Sequence, residues 1–422
     1  MQNIIRYLNA SLFRQTIQYY ISDGKGRHFV LIFIRGYTFP VFKVLPAINK
    51  RSNIFIFNFF NSKNTSTALT SGDKEFFLDS NVQMYDGVHH AGVEIHSYTP
   101  VTLYGFRFRR GYSEGFFAIP VIFLSTHYLI PSFTFSSGHP DRFAITATHD
   151  NTVVHVSLKM MSGSITFNGE NYSNNDTITM LLNKYNTFQL SHFPDLSGTL
   201  IVASDKVAIV SGNQCNRISH TGSCQTFVEM ILPINQLDNV YIIPVLANRS
   251  NNSVRILTVN DTSLTLSTGT HTSSHSLLSR NYMDFFHTTI SYISALSDVM
   301  VTIYPHELSG NHGDSFMMTI HGVNQYLYDY EIMVPSGFDS YISIAVSSDF
   351  IDGFTLDGKI FNIPTVFSVS GHNYHYSTFS LPITEGFHHI THRSQQRFGL
   401  WVYGNFTSQD AFGYPAGIAF KT

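Results

Sequence analysis

Twice in this chain the same phrase returns without a gap. "PVIFLSTHYLIP" runs from Pro120 to Pro131 and "PINQLDNVYIIP" from Pro233 to Pro244, both Pro-x₃-Leu-x₃-Tyr-x₂-Pro. Internal repetition decides a fold before any local preference does, because each copy must be one unit of a larger assembly. The repeated positions read as architecture: Leu124 and Leu237 belong in the core, and Tyr128 and Tyr241 pack beside a strand entry.

The segments around the phrase are almost entirely β. Short β-branched or alternating runs recur ("FAITATHD", "TVVHVSL", "TLIVAS", "VRILTV", "YISIAV", "FGLWVY"), with turn residues between them. Helical periodicity is confined to one stretch, near Ile4 to Tyr20. "VEIHSYTPVTLYGFRF", "TLIVASDKVAIVSGNQ", "ISYISALSDVMVTIYP" and "HHITHRSQQRFGLWVYGN" each read as a strand, a Ser-containing tight turn and a second strand. A second kind of half-unit alternates with these and carries Asp150, Asp261 or Asp349 at its turn. The expected fold is all-β, with four repeats of about 80–110 residues in two half-units each. The repeats fall at 28–135, 141–246, 252–335 and 340–421 of a domain spanning 28–422. Half-units of this size suit a β-propeller-like ring of eight blades, closed by the C-terminal "GYPAGIAF" strand against the first. Tandem β-sandwiches are the alternative. No Pro/Ser/Gly-rich linker separates the repeats, which favours the ring. Residues 1–27 read as an N-terminal extension, helical or belonging to a truncated or wrongly assigned start, because no apolar run of signal-peptide type comes after the basic residue.

Charge excludes some partners. The net charge is −3 and charged residues make up 13%, so nucleic acid and anionic membrane are not expected ligands. The cluster Arg107, Arg109, Arg110 reads as a solvated strand end. No stretch approaches the ~20 apolar residues of a membrane helix. The two cysteines, Cys215 and Cys224, are close enough to close a loop as a disulfide in an oxidising compartment; two free thiols in a cytosolic loop are the alternative. Asn-x-Ser/Thr sequons begin at Asn9, Asn64, Asn171, Asn175, Asn248, Asn251, Asn260 and Asn405. Together with low charge they favour an extracellular, glycosylated chain.

Chemistry-bearing residues are sparse. "GYSEG", Gly111 to Gly115, matches the G-x-S-x-G elbow, but the residues after it are β-like where that elbow needs a helix. "HHITH" places His388 and His392 on one strand face with Ile390 between them and His389 on the other; these read as hydrogen-bonding histidines, not ligands. "SNNDT" and "HDNT" show no Ca²⁺-loop ligand series. No catalytic residue, metal site or cofactor is assigned. The clearest breaks in the repeats are the loop Cys215 to Cys224 and "HELSGNHG", His306 to Gly313. Both lie between corresponding strands of successive repeats, so one rim should gather them. His306, Glu307, His312 and Asp314 are the candidate ligand contacts there.

"FAITATHDNTVVHV", "GTLIVASDKVAIVSGNQC", "EMILPINQLDNVYIIPV", "GDSFMMTIHGVNQYLYDY" and "FGLWVYG…GYPAG" occur in order at spacings that resemble the N-terminal domain of the IgGFc-binding protein family. The resemblance covers about Phe29 to Phe420 and is strongest from Phe143 onward. Val207 and Ser315 stand where that family often has proline. The resemblance implies a secreted, mucus- or surface-associated protein, and the family's paired cysteines map onto Cys215 and Cys224. The expected function is a non-catalytic extracellular binding or adhesion module for proteins or glycans, tied to mucus or innate defence. A structural component of a mucus or matrix assembly is the alternative; a glycan-processing enzyme is the third reading.

Overall fold

The computed structural model describes residues 23–36, 40–46, 52–69, 74–107, 113–134, 138–218, 225–308, 313–406 and 410–421. These residues are all-β, with only short 3-10 turns besides strands. The expected helix near Ile4 to Tyr20 lies outside them, as do Asn9, Arg109, Arg110, Cys224 and His312. Two burial patterns sort the strands. Thr152–Ser157 and Thr177–Leu182 bury every second residue, as strands with one solvated face must. Pro40–Pro46, Asp141–Ala147 and Asn252–Thr258 are buried at every residue, so they are covered on both faces.

One plan recurs. A long strand receives four others: two on its first half and two on its second. Val93–Arg107 pairs with Gly26–Leu31 and Ser52–Asn58, then with Pro40–Pro46 and Glu114–Phe117. Leu200–Asn216 pairs with Ser125–Leu129 and Thr152–Ser157, then Asp141–Ala147 and Gln225–Met230. Ser291–Pro305 pairs with Asp238–Ile243 and Thr262–Thr268, then Asn252–Thr258 and Met318–Ile320. In the last part of the chain the long strand is divided. Gly386–His392 serves a four-stranded sheet with Asp329–Val334, and Gly399–Phe406 a five-stranded sheet ending in Asp410–Pro415.

This corrects the reading of each half-unit as two strands around a tight turn. In a hairpin the two arms would pair with each other. Here they diverge to different partners, and the strand continues through a bulge. Opposite the first edge strand the register jumps from Val101 to His96, from Val207 to Val202, and from Val299 to Ser294. The extruded residues include the serines that suggested a turn, and Tyr98 and Leu296 are left exposed at the tips. A bulge of this kind bends a strand and redirects it from one sheet face to another.

The phrase opens a sheet. Pro120 and Pro233 start 3-10 turns that lead into the edge strands Ser125–Leu129 and Asp238–Ile243. Leu124 and Leu237 are buried as expected. The Tyr128 hydroxyl accepts from Ser125 N (3.0 Å) and donates to Val207 O (2.7 Å). Tyr241 accepts from Asp238 N (3.1 Å) and donates to Val299 O (2.5 Å). Tyr330 does the same between Leu327 N (3.0 Å) and Phe398 O (2.6 Å). Each hydroxyl therefore locks an edge strand to the bent part of its long strand. Residues at the head of each turn also pack on the start of the preceding edge strand. A Cβ on Gly26 would lie 2.5 Å from Pro120 Cβ, and one on Gly322 2.1 Å from Asp238 Cβ.

The strands that end each plan gather together. Glu114–Phe117 lies against both Gln225–Met230 and Asp410–Pro415, and Met318–Ile320 lies against Asp410–Pro415. The closing segment does not add a strand to the first sheet as expected: Asp410–Pro415 runs antiparallel to Gly399–Phe406. Residues 416–421 instead touch every part of the chain. Ala416 O accepts from the Tyr104 hydroxyl (2.6 Å), Ala419 N donates to Gln325 O (2.9 Å), Lys421 N donates to Gln236 Oε1 (2.7 Å), and Phe420 stacks on Phe123 (4.3 Å). The largest apolar cluster accordingly runs from Phe29 to Phe420, and a second fills the third sheet and reaches Trp401 and Tyr403.

Candidate ligand-binding rim

The second halves of the long strands and the strands after them meet at one end of the molecule, and polar side chains tie them there. Asp410 is 1% exposed. Its carboxylate accepts from Ser113 N (2.7 Å), Ser113 Oγ (2.7 Å), Gln225 Nε2 (2.9 Å) and Ala411 N (3.0 Å). One buried carboxylate thus clasps the first, second and last sheets. Ser113, the serine of "GYSEG", is committed to this clasp and precedes a strand, so the elbow geometry is not formed.

The sequence-predicted contacts lie beside it. Arg249 is buried, donates from Nη1 to His306 O (2.6 Å) and from Nη2 to Asn405 Oδ1, and lies 5.3 Å from the centre of the Phe316 ring. Burial pulls its guanidinium down to about 10, against the opposing effect of Tyr403, Asp314 and Glu307. His306 is half-buried, with Nε2 2.8 Å from Ser253 Oγ, and burial lowers its pKa. Asp314 is buried. Glu307 Oε1 accepts from Ile218 N (3.0 Å). This last bond joins the two segments whose meeting was expected: the arm that carries Cys215 and the arm that carries His306. Cys215 itself is buried at the end of its strand. The described members of the cluster are thus grouped about the Arg249 guanidinium, which His306 O meets directly and whose charge Asp314 and Glu307 favour.

Between the first and last parts of the chain the rim opens into a cleft of about 380 Å³, within the range of sites that hold small ligands or short chain segments. Phe77, Phe338 and Phe406 line it, with Lys43, Glu75, Ser113, Gly337 and Asp410. Phe77 is 73% exposed. Phe338 meets Phe406 and Phe412 edge-on at 5.8 and 5.0 Å, which fixes one wall. Glu75 pairs with Lys43 at 3.7 Å. The aromatic lining escapes a reading of the sequence because the three phenylalanines lie in separate strands and loops.

Other expectations resolve simply. His388 bonds Asp357 (2.8 Å) and Thr384 O (2.8 Å), His389 bonds Asp329 (3.0 Å), and His392 bonds the carbonyls of Phe350 (3.1 Å) and Asp352 (2.9 Å). Asp150 and Asp261 accept from Lys184 N (3.0 Å) and Ser279 N (2.7 Å) across their turns. Asn64, Asn171, Asn175, Asn248, Asn251 and Asn260 are exposed. Asn405 is 6% exposed and held by Arg249, which leaves its amide no room for a sugar. Among the described residues, one trio of potential metal ligands stands within 4.8 Å of one another: His28, Glu94 and His96. No local pattern points to it, since 66 residues separate His28 from Glu94.

A family model described as IgGFc binding protein matches residues 114–404. A human protein named IgGFc-binding protein is 28% identical over 293 residues, which is 68% of this chain and 5% of the relative's own length. Among solved structures, a Ca²⁺-stabilised adhesin with which an Antarctic bacterium binds ice aligns over 93% of this chain and 98% of its own, at 9% identity and a TM-score of 0.12. A domain from a 1.5-MDa bacterial ice-binding adhesin aligns over 67% and 90%, at 10% identity and a TM-score of 0.10. Neither structural alignment is close enough to bear on the fold.

Proposed function

The chain belongs to the IgGFc-binding family, and from that membership and the shape of the rim we propose that it is a non-catalytic extracellular module that binds proteins or glycans in mucus. The observation that carries this reading is the cleft at residues 335–338. Three phenylalanines line it among polar side chains, while its carboxylates are already engaged, Glu75 with Lys43 and Asp410 with Ser113 and Gln225. Acid–base chemistry needs paired groups in contrasting, accessible environments; recognition of a protein or sugar surface uses aromatic faces with a polar border. His306, Glu307, His312 and Asp314 belong to the same rim in this reading and shape its border.

The scaffold we propose for this rim is a closed, propeller-like ring of four repeats, each in two half-units. The mutual contacts of 114–117, 225–230, 318–320 and 410–415 support it, as do the contacts of 416–421 with several parts of the chain. A Cys215–Cys224 bridge would hold one rim loop, and the exposed Asn64, Asn171, Asn175, Asn248, Asn251 and Asn260 are the proposed glycan sites. Among the described residues no helix is long and apolar enough to cross a membrane. The chain spans 5% of the human relative, so the Fc specificity in that protein's name is one ligand to test, not a premise.

The test presents the secreted chain to immobilised mucin glycoprotein, a glycan array and IgG Fc, with a hydrolase screen on the same materials. Saturable binding without product supports the proposal. Release of product would make the protein an enzyme. Self-association with none of the three bound would favour the structural role.

A further inference from the structure

We propose that His28, Glu94 and His96 form a binding site for a divalent transition-metal ion of the Zn²⁺ type, on the face of the first sheet that meets the second. It is independent of the ligand at the rim.

The sheet register builds the site. His28 and His96 are direct partners across the antiparallel ladder. Glu94 stands two residues before His96 on the same strand, so period-two alternation puts all three on one face. The bulge begins immediately after His96, and the register is therefore fixed on that side. The imidazole rings stack with centroids 4.2 Å apart and 13° between planes. Both Nε2 atoms point at the same carboxylate oxygen, His28 at 2.8 Å and His96 at 2.9 Å from Glu94 Oε1.

Three potential donor atoms within 4.8 Å of one another on a paired strand are close enough to share one metal ion after small side-chain adjustments. Two imidazole nitrogens with one carboxylate oxygen suit Zn²⁺ and its neighbours, whereas Ca²⁺ and Mg²⁺ prefer sets made of oxygen alone. Adjustments of side chains would bring the three atoms to the ~2.0–2.2 Å bonds that Zn²⁺ makes. Each ring would then pass its Nε2 proton to Nδ1 or to solvent, leaving that lone pair for the metal. The side chains of His28 and His96 are 32% and 43% exposed, while that of Glu94 is 9% exposed, so an ion can enter from solvent against a buried anchor.

The second sheet completes the surroundings. The Tyr185 hydroxyl also donates to Glu94 Oε1, and its ring stacks on Phe59 at 4.1 Å. Lys184 Nζ lies 4.0 Å from the same oxygen but is exposed and can swing aside when a cation binds. Tyr185 would thus hold the ligating carboxylate from outside the metal's own ligands. By contrast, His388, His389 and His392 each have their own partner and share no common point.

The full chain, free of any polyhistidine tag and stripped with a chelator, is titrated with Zn²⁺ by calorimetry, and with Ca²⁺ and Mg²⁺ in parallel. The expected result is one Zn²⁺ per chain with a rise in melting temperature. His28→Ala and His96→Ala should each weaken it at least ten-fold (about 1.4 kcal/mol), while His389→Ala should bind as wild type. Circular dichroism checks that the variants fold. If an alanine variant does not, His28→Gln, which keeps the contact with Glu94, should show the same loss. The proposal is overturned if wild type takes up no stoichiometric Zn²⁺, if uptake survives both substitutions unchanged, or if His389→Ala loses it equally.

Discussion

Phe29 and Tyr330 occupy equivalent places at opposite ends of the chain, each on an edge strand and each facing an isoleucine, Ile95 or Ile390, of the strand it pairs with. Tyr330, like Tyr128 and Tyr241, bridges an amide at the head of the edge strand to a carbonyl beyond the bend. Phe29 is as deeply buried but has no hydroxyl to make the bridge. What takes its place is lateral: the stacked pair His28 and His96 on Glu94, one residue along the same strand. The difference separates two demands. A large aromatic ring is needed at every corner to fill the bend. The polar tie can be moved, provided that some group fastens the edge.

The strongest way to break the equivalence of the sheets is to cut the clasp that holds them together. Asp410→Ala removes a buried carboxylate and its bonds from Ser113 N and Oγ, while Gln225 keeps only the carbonyls of Ser113 and Ala411; several hydrogen bonds to one charged group are lost together, roughly 3–5 kcal/mol. Denaturant unfolding measures it, and Asp410→Asn should recover part, because one oxygen still accepts from Gln225.

Asp141 and Asn252 give a second comparison, since both begin the strand of their sheet that is buried at every residue, opposite His192 and His287. Burial, with Asp195 nearby, pushes the Asp141 carboxyl up to about 6, against hydrogen bonds from Ser132, Thr134 and Asn213. A raised carboxyl means that the folded state holds the proton more tightly than the unfolded one. Its stabilising contribution is present below pH ~4 and is lost as pH rises through about 6, a change of roughly 3 kcal/mol for two pKa units. Asp141→Asn, which gives the second sheet the residue of the third, should lack this decline. Unfolding curves of both proteins between pH 4 and 7.5 check it; parallel curves would refute it.

The seams offer a smaller effect. Gly322 packs on Asp238 where Pro120 packs on Gly26, so size is traded across the contact. Gly322→Ala should cost about 2 kcal/mol by overpacking, because Asp238 cannot move away without giving up its bonds from Asn324 N (2.9 Å) and Asn239 N (2.8 Å). Denaturant unfolding checks it, and a Gly322→Ala protein as stable as wild type would show that the close contact is incidental. The smallest expected effect is at the corner itself. Tyr241→Phe leaves the Asp238 amide and Val299 carbonyl without their partner and should cost about 1–2 kcal/mol; Phe29→Tyr, at a fully buried site, should be close to neutral only where the new hydroxyl makes the same bridge, and should cost about 1–3 kcal/mol where it does not.

Much of this is legible in the sequence, for definable reasons. The phrase at Pro120 and Pro233 keeps both its buried leucine and its bridging tyrosine, so its architectural role can be read. The third copy hides because Asp238 forces Gly322 into the place of proline, and Tyr326 replaces the leucine; only Tyr330 keeps its place. The bent strands mislead because a serine-bearing bulge and a tight turn share the same residues, and only the pairing partners tell them apart. At the rim, the approach of the Cys215 and His306 segments comes from their matching positions. The Phe77–Phe338–Phe406 cleft and the His28–Glu94–His96 trio have no such signal, since each is assembled across distant strands whose register no local pattern reveals.

The central claim, that the rim binds and the rest of the molecule supports it, is tested most directly by two substitutions of exposed apolar residues read on immobilised mucin glycoprotein. Phe77→Ser removes the most exposed ring of the cleft, and Leu278→Ser removes an equally open side chain (65% against 73% exposed) that does not line it. Phe77→Ser should weaken binding at least ten-fold with an unchanged melting temperature, while Leu278→Ser should bind as wild type. Equal binding by both variants, or loss with Leu278→Ser alone, would contradict the claim.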